Sequence, residues 1–258
     1  MTATDTASSR HRTQRGEDAA RTRRPLPWHM GRRLVLILHR DDPPDDRVAT
    51  FAAAHGFEAD YRRPYDGEGL GPLDESVAGT VLYGGGFDVY KTETYPFLID
   101  EHRWVERCMT RGVPVLGICQ GAQSIAHVLG AHVGPPDHGA TEFGCYQILP
   151  TPEGSEFLSA PMHVTQSHFH GFAIPTGAVR LAGNDAFPNQ AFQYGKYTYG
   201  LQFHPEMTVE GFARIQDAPW ARYGWPGAQT REEQDRLLAR YDDTQASWFE
   251  RFLSGLFA

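Results

Sequence analysis

The apolar residues of this chain recur in two rhythms that change near residue 130. Arg33–His39 (RLVLILH) is a short, almost wholly apolar run bounded by charge, which predicts a strand buried on both faces of a parallel sheet. Asp45 and Asp46 can cap a helix whose apolar Val48, Phe51 and Ala52 share a face, and Gly56 stops it. A weaker strand is expected near Phe57–Arg62, followed by a Gly/Pro-rich loop. Gly79–Tyr83 (GTVLY) predicts the next strand, running straight into Gly84-Gly85-Gly86. From Pro96 to Arg111 the spacing predicts a helix with Leu98, Trp104, Val105, Cys108 and Met109 inward and Gly112 as its stop. Val113–Ile118 reads as another buried strand, and the helix after it puts Ala122, Ile125, Ala126 and Leu129 on one face before Gly130. Strand and helix alternate throughout this half, so an α/β fold with a parallel sheet and helices on both sides is expected.

Beyond Gly130 the pattern becomes short strands and turns. Candidate strands are Phe143–Leu149, Met162–Gln166, Ala178–Ala182, Gln190–Gln193 and Thr198–Phe203. The last segment opens on Thr230 and Glu233, spaced as a capping box. It carries Leu237, Leu238, Tyr241, Trp248, Phe249, Phe252 and Leu256 at helical spacing. Between these regions, Trp220, Tyr223 and Trp225 of the segment 216–229 suggest core packing, with a cover over the site or a contact surface as the alternatives.

Composition narrows the class. With 40% hydrophobic residues in 258, the chain can bury a full core, and intrinsic disorder is excluded for most of it. No apolar stretch reaches the roughly 18 residues needed to span a bilayer. The three cysteines, Cys108, Cys119 and Cys145, are too few and too widely spaced for a disulfide scaffold, so a reducing cytoplasmic setting is expected. Residues 1–33 hold eight Arg against three acids, Asp5, Glu17 and Asp18. The whole chain has 24 basic and 32 acidic groups, which leaves 16 against 29 for the remainder. A body that acidic is a poor partner for nucleic acid. Residues 1–32 are therefore expected to be a disordered Arg-rich tail, or a start placed too early ahead of Met30, and residues 33–258 the folded domain.

The chemistry is expected where strand meets helix. In Gly117 to Gln123 (GICQGAQ), Cys119 falls at such a junction, and Gly117 and Gly121 permit the sharp turn that lifts a nucleophile above a sheet. A helix N-terminus favours a thiolate, and the amide of Gln120 points the same way to hold an oxyanion. A base is available in Gly200 to Glu206 (GLQFHPE): His204 follows a strand, Pro205 stiffens the turn, and Glu206 reaches back to the imidazole. Thiolate, shuttling histidine and orienting carboxylate make up a triad for acyl transfer. Cys108, on its helix, reads as a small buried hydrophobe. His163, His168 and His170 are of the type that binds metal, but no Cys or carboxylate accompanies them in sequence, so no metal and no other cofactor is expected.

Four blocks in order resemble the class I glutamine amidotransferase family, in particular the glutaminase half of GMP synthase: Gly84-Gly85-Gly86, Pro114 to Gln123, Gln166 to Pro175 (QSHFHGFAIP) and Tyr199 to Glu206. The resemblance, from about Arg33 onward, implies a flavodoxin-like three-layer α/β/α fold of class I amidotransferase topology, with a mostly parallel sheet. It implies Cys119 as nucleophile, His204 and Glu206 as its partners, Gly85 as a second oxyanion donor, and Gln123, with Gly85, as substrate-holding residues. Two positions depart from the family: Gly86 stands where proline is usual, and His170 where the third block usually has an acid. The implied reaction is hydrolysis of the γ-amide of L-glutamine, or of a γ-glutamyl compound, through a thioester. Ammonia would pass to a synthetase partner or be released. No phosphate-binding GxxxxGK[ST] loop occurs in these residues. The alternatives are a free-standing γ-glutamyl hydrolase or peptidase and a silent binding module that keeps the fold.

Overall fold

The computed structural model describes Met1 and residues 32–258. The expected tail lies outside the described residues, apart from Met1 and Arg32. Arg32 is tied to the fold, its guanidinium donating to the carbonyls of Glu75 (2.9 Å) and Val77 (2.5 Å).

In chain order the elements are β1 (Arg33–Ile37), α1 (Arg47–His55), β2 (Glu58–Arg62), β3 (Val77–Leu82), α2 (Phe97–Arg111), β4 (Val115–Ile118), α3 (Gln120–Val128), β5 (Val133–Gly134) and β6 (Glu142–Pro150). There follow β7 (Met162–His168), β8 (Gly171–Phe172), β9 (Ala178–Gly183), β10 (Ala191–Tyr194), β11 (Thr198–Leu201), α4 (Val209–Gln216) and α5 (Arg231–Phe257). One nine-stranded sheet runs β2-β1-β3-β4-β11-β10-β9-β6-β7. Its first five strands pair in parallel. The remaining four pairings are antiparallel, so the sheet is mixed. The last strand of the parallel half, β11, comes from the far end of the chain and fits beside β4.

Pleating explains why β1 is apolar throughout. Leu34 and Leu36 face one layer with α1 and α5, while Val35 and Ile37 face the other with α2 and α3. The two layers bury Val48, Phe51, Trp248, Phe249 and Phe257 on one side and Trp104, Val105, Ile125 and Ala126 on the other. Each such side chain contributes about 1.5–3 kcal/mol by burial. The caps match their residues. Asp46 accepts from the amides of Val48 and Ala49, and Gly56 and Gly112 close α1 and α2 with positive φ. At Thr230 only one arm of the capping box forms, with Oγ1 accepting from the Glu233 amide at 3.2 Å.

The pattern did not indicate α4, which Thr208 caps through the Gly211 amide at 3.0 Å. Only Phe212, Ile215 and Gln216 of this eight-residue helix are buried, too short a stripe to show a period. The two-residue strands β5 and β8 carried no signal either. The expected core packing of the 216–229 aromatics is not what forms: Trp220 and Trp225 are each about half exposed and Tyr223 is exposed too. They sit on a connection between α4 and α5 that runs over the surface.

Candidate active site

β4 ends at Ile118 and α3 starts at Gln120, so the chain must turn within Cys119. That residue has φ 52° and ψ −109° and is the sole non-glycine with positive φ among the described residues. Such a conformation costs about 1–3 kcal/mol and persists only where the surroundings enforce it. Here the Cys119 amide donates to Leu201 O at 2.7 Å, and its carbonyl accepts from Gln123 N at 3.0 Å. The flanking glycines permit the turn through their lack of a side chain, not through an unusual backbone conformation. Neither has positive φ. A side chain on Gly121 would collide with the Leu82 carbonyl, and one on Gly117 would lie 2.5 Å from the Gly121 backbone. They let the helix pack directly on the strands, while the strain stays in the cysteine.

Register brings the second part in. β11 pairs with β4 in parallel, Leu201 beside Ile118, so the chain beyond β11 emerges next to Cys119. His204 is fixed there by its amide donating to Thr165 O at 2.8 Å. Its Nδ1 donates to Glu206 Oε1 at 2.8 Å, both residues are 3% exposed, and its Nε2 has no partner. Burial alone would lower the imidazole pKa, but the Glu206 carboxylate and Cys119 beside it raise it to about 10. Gly84 completes the junction: a methyl there would lie 2.7 Å from His204 Cε1 and 3.4 Å from Cys119 Cβ.

Residues that the sequence did not single out support this centre. Arg47 donates to the carbonyls of Pro205 (3.0 Å) and Met207, and pairs with both oxygens of Asp242 at 2.7 Å, which anchors the His-Pro-Glu turn to α1 and α5. Asp46, the cap of α1, has a pKa raised to about 6 by burial, with the charge of Glu206 adding to it. Tyr83 donates to it at 3.1 Å. Under the glycine loop His39 (4% exposed) meets Glu101 (fully buried), with Nε2 at 3.0 Å from Oε2 and Nδ1 donating to Tyr83 O at 3.0 Å. An acid one turn into an amphipathic helix and a histidine at a strand end gave no sign of meeting.

The other expected residues surround the same cleft. Gly85 lies between His39 and Gln120: a methyl on it would come 2.5 Å from His39 Cβ and 2.6 Å from Gln120 Oε1. The Gln120 side chain accepts from the Phe87 amide at 2.7 Å. Gln123, nearly buried, donates to Gln202 Oε1 at 3.3 Å and His170 O at 3.4 Å. Cys119, Gly85, Gln123, His204, His170 and Arg222 are among the residues lining a cleft of about 440 Å³.

His163, His168 and His170 do not form one cluster. His163 stacks on Tyr241, with ring centroids 3.9 Å apart. His168 and His170 do not share a strand face, because β7 ends at His168. Each has a carboxylate that the sequence did not bring near: Glu142 binds His168 at 2.9 Å, and Asp88 lies 3.6 Å from His170. No group of three or more His, Cys, Asp or Glu side chains among the described residues is arranged to hold a metal. Cys108 and Cys145 are buried, their thiols pushed up to about 12 by desolvation, so neither offers a nucleophile. No helix among the described residues is long and apolar enough to cross a membrane.

Comparison with known proteins identifies the family and the fold. Residues 64–214 match the family model described as Glutamine amidotransferase class-I. The chain is 29% identical over 186 residues to the glutamine amidotransferase-like protein YfeJ of Salmonella typhimurium, covering 69% of this chain and 77% of that protein. It is 35% identical over 136 residues to a glutamine-hydrolyzing GMP synthase of Porphyromonas gingivalis, covering 51% of this chain but only 25% of that protein. The chain thus spans about a quarter of the length of that synthase. A crystal structure of a glutamine amidotransferase from Thermotoga maritima superposes with a TM-score of 0.77 at 27% identity, covering 89% of this chain and 99% of that one. A glutamine amidotransferase from Methylobacillus flagellatus, 21% identical, shares the fold with a TM-score of 0.77.

Proposed function

The chain belongs to the class I glutamine amidotransferase family, and we propose that it hydrolyses the γ-amide of L-glutamine or of a γ-glutamyl compound, with Cys119, His204 and Glu206 as the catalytic residues. The observation that carries this reading is the convergence of a strained Cys119 at a helix start with a buried His204 whose Nδ1 is held by Glu206 at 2.8 Å.

The chemistry follows from those positions. The Cys119 sulfur, as thiolate, attacks the γ-carbonyl carbon. The amides of Gly85 and Gln120 hold the oxygen that becomes negative, and one such donor contributes about 3 kcal/mol to the transition state. The carbon–nitrogen bond then breaks, and His204 Nε2 gives its proton to the departing nitrogen. This leaves a γ-glutamyl thioester and ammonia, or an amine. His204 next takes a proton from water, whose oxygen attacks the thioester, so that glutamate leaves and the thiolate returns. Glu206 holds the imidazole in one orientation and favours its protonated form throughout. Gln123 and Gly85 line the part of the cleft where the glutamyl chain would lie.

Two fates for the nitrogen fit this site. Ammonia passes to a synthetase partner, as the likeness to the glutamine-hydrolyzing GMP synthase suggests. In the second reading the chain is a free-standing γ-glutamyl hydrolase, which the cleft volume of about 440 Å³ favours because it leaves room for a larger leaving group. The test is ammonia and glutamate release from L-glutamine and a panel of γ-glutamyl amides and peptides, with Cys119→Ser as control. Turnover of γ-glutamyl peptides above glutamine identifies the hydrolase. Weak turnover that leaves Cys119 open to a glutamine-like electrophile identifies the partner-dependent glutaminase. Turnover that survives in Cys119→Ser removes the whole assignment.

A further inference from the structure

Among the described residues, a guanidinium in the wall of the catalytic cleft has no counter-ion. Arg222, on the connection between α4 and α5, is half-buried and lines the same space as Cys119 and His204. Its Cζ lies 4.3 Å from the ring centroid of Phe169 and 5.6 Å from that of Trp225, so two aromatic faces hold it. Among the described residues no carboxylate or carbonyl accepts a hydrogen bond from it. The other arginines nearby are engaged: Arg40 with Asp42, Arg47 with Asp242.

The one acid among the cleft-lining residues, Asp88, is paired elsewhere, with Lys91 Nζ at 2.6 Å and His170 Nδ1 at 3.6 Å. Burial pulls the Arg222 pKa down, as expected for a cation partly withdrawn from water, and the guanidinium lines the same cleft as the nucleophile. A partly desolvated cation gains most from an anion that arrives with the ligand, and the planar guanidinium fits a carboxylate through two parallel hydrogen bonds.

We propose that Arg222 is a specificity-determining residue that binds a carboxylate of the substrate and so aligns the γ-carbonyl with Cys119. This rests on the γ-glutamyl reading above and narrows its substrate class to compounds that carry a free carboxylate. Two carboxylates could serve, the α-carboxylate of the glutamyl unit or one on the leaving amine. The stacking of Arg222 on Phe169, the residue just past β7, ties the recognition element to the cleft while its backbone belongs to a surface connection.

Four substrates separate the sources: L-glutamine, its α-amide, γ-glutamylglycine, and γ-glutamylglycine amidated at the α-carboxyl. In Arg222→Gln, KM is expected to rise about tenfold or more for substrates bearing the recognised carboxylate, with kcat changed far less. If L-glutamine is penalised and its α-amide is not, the α-carboxylate is the ligand. If only glycine-bearing substrates are penalised, it is the leaving-group carboxylate. Arg222→Lys should recover part of the loss, since it restores charge without the fork. Equal penalties on all four substrates, or none, overturn the proposal.

A second measurement does not depend on turnover. Alkylation of Cys119, followed by mass spectrometry, is compared for iodoacetate and iodoacetamide. The wild-type ratio of the two rates should exceed that of Arg222→Gln several-fold, roughly as expected for a nearby cation attracting an anion. An unchanged ratio overturns the proposal. Turnover retained in Cys119→Ser would instead overturn the reaction assignment, leaving the alkylation ratio to judge Arg222 separately.

Discussion

Gln120, the first residue of α3, accepts the backbone amide of Phe87 through its side-chain oxygen at 2.7 Å. The residue after the nucleophile thereby holds the loop after β3, which carries Gly84, Gly85 and Gly86. Two loops far apart in sequence, each proposed to supply one oxyanion donor, are joined by one buried side chain.

Gln120→Ala should therefore lower turnover more than stability. Losing the bond frees the Phe87 amide and loosens Gly85 relative to Cys119. We expect kcat to fall about 10- to 100-fold, the range for a misplaced oxyanion donor, with a stability loss of about 1–2 kcal/mol. Steady-state kinetics and urea unfolding measured together decide it. A stability loss without a kinetic effect would show that the bond serves the fold alone.

The glycine loop has two positions that a side chain would crowd, Gly84 and Gly85, and one, Gly86, that has room. A methyl on Gly85 meets His39 Cβ at 2.5 Å and Gln120 Oε1 at 2.6 Å, whereas one on Gly86 meets nothing within 4 Å. Gly85→Ala should cost about a hundredfold in kcat/KM, and Gly86→Ala should stay within about threefold. Similar losses in both variants would count against the placement of the loop.

The strain in Cys119 makes a stability prediction that runs against activity. Comparing Cys119→Gly with Cys119→Ala removes the sulfur in both and the β-carbon in one. At φ 52° the glycine variant should be the more stable by about 1 kcal/mol, a Tm difference of about 2–4 °C for a domain of this size. Calorimetry of the two inactive variants is the check. Equal Tm values would mean that the turn is not strained.

Asp46 predicts the sign of a pH effect. Its folded pKa is raised from 3.8 to about 6, so between those values the folded protein holds more protons than the unfolded chain. Its contribution to stability is fully present below about pH 3.8 and is lost as pH rises through about 6. Asp46→Asn keeps a cap for α1 and removes the charge beside Glu206. It should therefore gain stability relative to wild type as pH rises from 4 to 7, by about 1–3 kcal/mol. Urea unfolding across that range decides it, and parallel curves for the two proteins would refute the assignment.

The catalytic candidates were legible because their signals are local. Cys119 lies between two glycines at a strand–helix junction, and His204 and Glu206 are two residues apart after a strand, so each part of the centre is written within a few positions. The supports were not, since each joins distant segments. Arg47 reaches the His-Pro-Glu turn 158 residues away, and His39 meets Glu101 across 62. No period or spacing relates such positions. The same holds for Trp220 and Trp225: aromatic residues suggest a core, and only the path of the chain over the cleft shows them exposed.

The sequence by itself determined the alternation of elements, the two-sided burial of β1 and the candidate nucleophile, because strand and helix periods and turn chemistry act over a few residues. Tertiary structure decided the rest. It inserted β11 beside β4, which brings His204 to Cys119, placed the strain in Cys119 and not in its glycines, and left Arg222 in the cleft with no ion pair among the described residues. These depend on sheet order and on which long-range contacts close, and a single chain read residue by residue does not record them.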